Sequence, residues 1–420
     1  MMEKCRGSRD LLPPDMARFR HVEGIFRACC LAWGYQEVRT PTLEYLHLFT
    51  AAGTLTPGRL GRVYSFLDWD GWSGERVALR PEGTIPAARL FVESLSSVPL
   101  NKLFYVENIF SFEESGRESR ERWQCGAELM GSSKPVADAE LILLAREILG
   151  RIGLEAVELH LSHAGLLRGL LQESGLTPAE QEQALDTVLN GDMKVLEKAL
   201  GANPHLRDAV PLLLQLRGRS PGFLRNLQAS LLRALPNLEP VLENFVAIAE
   251  LLSAAGVGYQ IDIASGKGFE YYTGITFQFY FKGQRLGGGG RYNDLIPLLG
   301  GGDAPASGFA FDMDKLMELL PEGVGGPGSQ RVLVRGRADA VEAWKSSVEA
   351  ARRLREARYV AEFDPGYGRV KGYRWVLKIS MRKGTACFLL EDRAKDRKYE
   401  ASSMEQILKI LRKANEASST

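Results

Sequence analysis

Four short segments carry residue types and spacings suited to chemistry. In Leu79-Arg80-Pro81-Glu82-Gly83-Thr84 a carboxylate stands between a proline and a glycine. Such a turn is stiff, so Glu82 could be held facing a ligand amine, and it would equally suit a surface turn. A second segment, Phe104 to Gly131, contains Glu113, Arg117, Arg120, Gln124 and Glu128. A strand's two-residue period places Gln124, Gly126 and Glu128 on one face. An amide, a gap and a carboxylate could seat an amino acid with a polar ring, with Gly126 letting the ligand lie against the backbone. A solvated sheet face would show the same pattern. The third segment runs from Gly266 through Lys267, Tyr271 and Tyr272 to Gly274, and continues at Gly287-Gly288-Gly289-Gly290-Arg291-Tyr292. Four glycines in a β-like stretch make sense where backbone approaches something closely. No GxxxxGK[ST] occurs, so this is not a Walker loop. The fourth segment, Gly34-Tyr35 with Pro41 and Glu44, reads as a helix end, a strand and a break, punctuation that many domains share.

Larger elements must position these segments. The chain has 420 residues, enough for two or three domains, with 45% hydrophobic and 25% charged residues, the balance of a globular protein. A Gly/Pro-rich stretch at 321–329 marks a linker between a body at 1–320 and a domain at 330–420. Within the body, about 175–256 repeats Leu and Ala at three- and four-residue spacing and predicts helices without a strand. The flanking parts are mixed, which implies one α/β body with a helical insertion. The tail predicts a strand at Val332–Val334, a helix from Ala338 to about Ala357 and a short strand at Tyr359–Ala361. Beyond these, Trp375–Ile379 is ambiguous, Ala386–Leu390 reads as a buried strand, and a helix runs from Met404 to about Lys413. Residues 330–420 hold 21 Lys/Arg and 12 Asp/Glu, a net +9, which leaves 32 basic and 40 acidic residues, or −8, elsewhere. The basic tail suits nucleic acid, an acidic protein partner or a solvated surface.

The five cysteines, at 5, 29, 30, 125 and 387, include no CxxC pair and suggest neither a disulfide framework nor a metal site. Adjacent Cys29 and Cys30 read as buried packing. The first residues lack an apolar core like that of a secretory signal, and no run reaches a membrane-spanning length. A cytoplasmic protein is expected.

Taken in order, RGSRDLLP, GYQEVRTPTLE, LRPEGT, FSFE with RERWQCGAELMG, KGFEYYTG, GGGGRY and SGFAFDMDKL resemble histidyl-tRNA synthetase from about residue 6 to 320. The resemblance implies an α/β (α+β) class II aminoacyl-tRNA synthetase core: an antiparallel sheet with flanking helices, a helical insertion and a small C-terminal α/β domain like a degenerate anticodon-binding domain. It places the family's histidine-binding residues at Glu82, Thr84, Gln124, Glu128, Tyr271 and Tyr272, with Glu82 on the α-amino group. It also implies a two-fold homodimer built on the segment around Gly34–Glu44, with Trp33, Tyr35, Leu43 and Leu46 supplying apolar area.

Departures from the synthetase pattern gather on ATP. Where the family places arginines this chain has Ser111, Lys267 and Lys315. A guanidinium makes bidentate phosphate contacts that lysine cannot copy. Asp312 and Asp314 would add like charge near phosphate. A seat kept without its phosphate clamp describes a receptor better than a ligase. The pattern resembles the regulatory subunits of ATP phosphoribosyltransferase, synthetase paralogues of histidine biosynthesis. They lack ligase activity and join a short-form catalytic subunit in a hetero-oligomer that histidine inhibits. That reading expects no cofactor. LRPEGT and the tail domain point the other way, to a divergent histidine–tRNA ligase using ATP, Mg and tRNA. A free-standing synthetase-like RNA-binding or sensor protein is the third reading.

Overall fold

The computed structural model describes residues 3–52, 60–68, 74–112, 119–189, 194–195, 217–232, 235–262, 271–324, 331–336, 341–364, 372–382 and 385–416. The chain divides into two units, Met1–Glu322 and Gly323–Thr420. Among the described residues no helix is long and apolar enough to cross a membrane.

The first unit opens with helix α1 (Pro13–Ala32), started by a proline whose missing N–H costs nothing at that position. Phe19, Val22, Phe26 and the Cys29–Cys30 pair recur at helical spacing and are buried. Gly34, at φ 80°, ends the turn and sends the chain into β1 (Gln36–Glu37). Next come β2 (Leu43–Tyr45), α2 (Leu46–Ala51), β3 (Ser65–Leu67), β4 (Arg76–Leu79) and α3 (Thr84–Leu90). Two ten-residue strands follow, β5 (Asn101–Phe110) and β6 (Glu121–Met130). After them lie α4 (Pro135–Ile152), β7 (Glu158–His163) and α5 (Ala164–Gln172). The insertion then contributes α6 (Pro178–Leu189), β8 (Arg217–Gly218), α7 (Pro221–Leu231) and α8 (Glu239–Ala254). The unit closes with β9 (Gln260–Asp262), β10 (Ile275–Phe281), β11 (Gln284–Arg291), α9 (Leu295–Leu298), β12 (Ala306–Asp312) and α10 (Met313–Leu319).

Nine strands form one sheet in the order β1-β5-β6-β12-β11-β10-β7-β9-β8, antiparallel except for β1/β5 and β7/β9. A small sheet, β2-β4-β3, stands beside it. The two sheets are riveted by a buried ion pair. Arg80, 3% exposed, meets Glu107, 2% exposed, at 2.8 Å, and donates to the Thr40 and Asn108 carbonyls. Glu107 also accepts from the Thr40 N–H and hydroxyl. Arg80 therefore ties the end of β4 to β5 and to the loop before β2, and both charges are fully hydrogen-bonded.

The insertion departs from the all-helical expectation. Arg217–Gly218 pairs with β9 and extends the main sheet, with Arg217 salt-bridged to Asp262 at 3.1 Å. Two residues are too few for a strand period to register.

In the second unit, β13 (Arg331–Gly336), α11 (Val341–Glu356), β14 (Val360–Phe363), β15 (Trp375–Arg382), β16 (Thr385–Asp392), β17 (Arg397–Ala401) and α12 (Met404–Glu416) build a mixed sheet ordered β14-β13-β15-β16-β17. Trp375, Leu377, Val334, Leu354, Ile407 and Leu411 meet in its core. The ambiguous Trp375 stretch is thus a central strand. Ala386–Leu390 is a strand but not a buried one: only Leu390 is buried, and Ala386 to Leu389 are half-exposed. β17, which the pattern did not reveal, covers only part of it.

Removing one partner of the Arg80–Glu107 pair strands the other charge in the core. Arg80→Met should cost about 3–5 kcal/mol in urea unfolding, and adding Glu107→Leu to it should recover part of that loss.

Candidate functional site

Glu128 lies in the middle of β6 with 0% exposure. Its register partners are Leu103 on β5 and Gly308 on β12. A Cβ at position 308 would overlap the Glu128 carboxylate, so glycine there is what gives the side chain room. The carboxylate accepts from the Tyr105 hydroxyl at 3.2 Å and from the Tyr292 hydroxyl in a short bond.

Tyr105 is the residue that sequence reasoning missed. Its ring lies across Gly126 and Gly83, and a Cβ on either would run into it. Gly126 therefore makes space for a tyrosine of the neighbouring strand, not for a ligand against the backbone. No motif marks Tyr105, which sits among Leu103, Phe104 and Val106, and only the Tyr105–Gly126 pairing discloses it. Its hydroxyl also lies 3.4 Å from Thr84 Oγ1.

The Leu79–Thr84 turn delivers the second carboxylate. Glu82 accepts from the Thr84 N–H at 2.8 Å and the Ile85 N–H at 2.7 Å, occupying the exposed donors at the start of α3. Gln124 Oε1 accepts from the Gly83 N–H at 2.8 Å and anchors the turn to β6. The Gln124 carbonyl is thereby spent on the scaffold, while its amide N–H groups keep their donor capacity. Tyr271 stands edge-on to Tyr272 at 5.3 Å and to Tyr292 at 5.7 Å. Tyr272, 6% exposed, packs into the apolar cluster with Phe49, Ile85 and Ile296. Glu82, Thr84, Gln124, Glu128 and Tyr271 thus converge with Tyr105 and Tyr292, and Tyr272 backs them from the core.

Burial, with a smaller contribution from the Glu107 charge, pushes Glu82 up to about 7, and burial, with a smaller contribution from the Glu82 charge, pushes Glu128 up to about 8. Hydrogen bonds from backbone N–H groups at Glu82, and from hydroxyls at Glu128, offset part of this. Among the described residues neither carboxylate forms an ion pair. The arrangement suits a ligand that brings cations and N–H donors.

Gln124 also reaches a cavity of about 170 Å³ on the far side of the seat. That cavity is lined by Arg122, Arg285, Lys315 and Asp312, together with Trp123 and Gly287. Lys315 Nζ donates to the Arg285 carbonyl at 3.2 Å and stands 4.0 Å from Asp312. Ser111 does not line the cavity, and its N–H donates to the Arg120 carbonyl. Lys267 lies outside the described residues, as do Glu113 and Arg117. Two expectations are corrected here. Asp314 is not aimed at a phosphate position: it pairs with Arg9 and accepts from the Trp123 N–H. The cavity is also lined by two arginines that were overlooked, Arg122, within the RERWQCGAELMG segment, and Arg285, outside every quoted motif.

An acid whose pKa is raised by folding holds its proton in the folded state after the unfolded chain has lost it. Stability is then greatest below the unfolded value and falls as pH rises through the folded one. Each unit of upward shift withdraws about 1.4 kcal/mol. The melting temperature of the unliganded protein should therefore decline from pH 5 to pH 9, and Glu128→Gln should flatten that decline.

The histidyl-tRNA synthetase family model matches residues 7–316. A protein of Dehalococcoides mccartyi strain BAV1 described as ATP phosphoribosyltransferase regulatory subunit is 46% identical over 413 residues, covering 98% of each chain. The histidine–tRNA ligase of Methanosarcina acetivorans is 38% identical over 359 residues, 83% of this chain and 82% of that one. Among solved structures, an ATP phosphoribosyltransferase regulatory subunit/histidyl-tRNA synthetase from Bacillus halodurans superposes with a TM-score of 0.77 at 24% identity, covering 90% of this chain and 98% of that one. The histidyl-tRNA synthetase of Nostoc sp. PCC 7120 gives 0.79 at 17% identity, with 99% of both chains covered. These low-identity likenesses show the class II fold. The motifs, the family match across the first unit and the full-length relative at 46% identity together mean that the chain belongs to the histidyl-tRNA synthetase-like family, and it is more similar to that regulatory subunit than to that ligase.

Proposed function

We propose that this chain is the regulatory, non-catalytic subunit of ATP phosphoribosyltransferase, a cytoplasmic protein that binds histidine and a short-form catalytic subunit. The similarity to a regulatory subunit along 98% of both chains carries the reading. The seat supplies its chemistry. Glu82 would face the ligand's ammonium, and Glu128 with its tyrosines would receive the imidazole N–H. Charge-assisted hydrogen bonds of this kind contribute about 1.5–3 kcal/mol each. A cationic ligand draws both carboxylates into their ionised form, so binding near pH 7 releases protons.

Calorimetry tests this directly. Histidine should bind the isolated protein with proton release, seen as a heat that changes with the buffer's ionisation enthalpy. Glu82→Gln should weaken binding about 10-fold or more. No heat at millimolar histidine, or equal affinity in the variant, would sink the assignment of the seat.

One observation favours the alternative reading, a divergent histidine–tRNA ligase. Arg122, Arg285 and Lys315 keep the neighbouring cavity basic. With Ser111 at the motif position, we expect no histidine-dependent exchange of pyrophosphate into ATP. Exchange at ordinary synthetase rates would establish the ligase in place of the regulator.

A homodimer completes the proposal, with a changed surface. Tyr35, 1% exposed, is core, and its hydroxyl donates to Glu140, while the Trp33 indole N–H donates to Glu147. Tyr35 therefore lies in the core, whereas the Trp33 ring stays partly exposed. On the small sheet the expected Leu43 is joined by Tyr45 and Phe66, which are 48%, 46% and 46% exposed in that order. Light scattering should give a dimer at micromolar concentration, and Phe66→Asp should shift it toward monomer.

A further inference from the structure

The second unit contains an apolar strand that its own fold leaves half covered. β16 pairs with β15 along its whole length, from Thr385 to Asp392. On its other side β17 reaches only Phe388 to Asp392. The chain turns away after Ala401: the Ser402 N–H donates to Gln406 Oε1, and α12 begins two residues later. Thr385, Ala386 and Cys387 therefore overhang the neighbouring strand. Among the described residues no backbone hydrogen bond fills the place beyond Ala401. Natural sheets usually blunt such an edge with charge, proline or a covering loop. Here the edge runs into Ala386-Cys387-Phe388-Leu389, all half-exposed.

Two grooves meet at this edge. One, of about 480 Å³, is walled by Arg382, Cys387, Leu389, Glu400 and Gln406. The other, of about 400 Å³, is walled by Lys345, Glu349, Arg353, Met404 and Glu405, and its Arg353 is paired with both glutamates. Both reach Ala386 and Phe388. An open backbone edge with recesses of mixed polar and apolar lining beside it matches an added strand, whose main chain bonds to the edge while its side chains enter the recesses. Charge narrows the occupant further. Within the grooves the charges balance, Lys345 and Arg353 against Glu349 and Glu405 and Arg382 against Glu400, so the bias comes from the whole unit, Gly323–Thr420, which has 21 Lys/Arg against 12 Asp/Glu. A net positive field attracts and orients an acidic partner.

We infer that the Thr385–Cys387 edge is a docking site for an extended, acidic segment of a partner protein, which adds to the sheet in line with β17. A single-stranded nucleic acid would use the same field, but it would draw nothing from a strand edge and would stack on aromatic faces. Among the apolar residues shared by the two grooves only Phe388 is aromatic.

The test uses the full chain and an array of octapeptides in which Glu or Asp alternates with Val, Ile, Leu or Phe. A matched array has Lys in place of the acids, and an RNA octamer serves as competitor. The acidic array should contain binders. The best of them should weaken at least 10-fold when alternate backbone amides on one edge are N-methylated. Ala386→Arg, which fills the groove at a half-exposed position, should cause a similar loss with an unchanged melting temperature. The absence of acidic binders, equal binding by the Lys array, or indifference to N-methylation would each overturn the proposal. So would displacement by RNA together with failure of every peptide. N-methylation leaves the protein untouched, so its outcome stands even where the arginine variant folds poorly.

Discussion

Glu128 is a carboxylate held out of water in the middle of a sheet, and the surrounding segments are shaped around the cost of keeping it there. An ionised carboxylate without hydrogen bonds or counter-charge is not tolerated in such a place, so it must be given donors, left protonated or supplied with a cation. Two tyrosines, one in the middle of β5 and one just after β11, give it hydroxyls. Gly308 gives it volume, and Gly126 and Gly83 give volume to the tyrosine that serves it. The tight turn at Glu82 is tied by Gln124 to the same strand. Substituting any of these glycines would force a ring or a carboxylate to move, so the packing of the sheet and the chemistry of the seat are one constraint.

The consequence is a seat whose charge a cation would complete. A buried acid, Glu128, and a half-buried one, Glu82, both raised toward neutrality, leave it weakly charged by itself and would attract an ammonium strongly. The cavity beyond Gln124 has the opposite character, with Arg122, Arg285 and Lys315 outweighing Asp312. One glutamine side chain separates a region suited to cations from one suited to anions. A ligand carrying both kinds of charge could span them, and a ligand carrying only the first would fill the seat alone. Lys315 leans on the Arg285 carbonyl, as a point charge does when it lacks the planar fork of an arginine.

Much of this was legible in the chain itself. The turn at Gly34, the Gly/Pro-rich stretch at 321–329 and the two-residue period around Gln124–Glu128 are local signals, dictated by backbone sterics and side-chain alternation. So was the charge split between body and tail. The ordered motifs carried the family, because they record which residue types must sit at which turns. What could not be read were facts of register and coverage. Tyr105 belongs to the site only because β5 sets it opposite Gly126. Asp314 leaves the phosphate side because Arg9, some 300 residues away in sequence, reaches it. Tyr35 becomes core, and Ala386 to Leu389 stay half-exposed, because of what the rest of the chain does or does not lay over them. Local sequence determines the period and punctuation of each element. Only the tertiary structure decides which faces meet, since contacts between strands and helices far apart in the chain leave no trace in the spacing of either one.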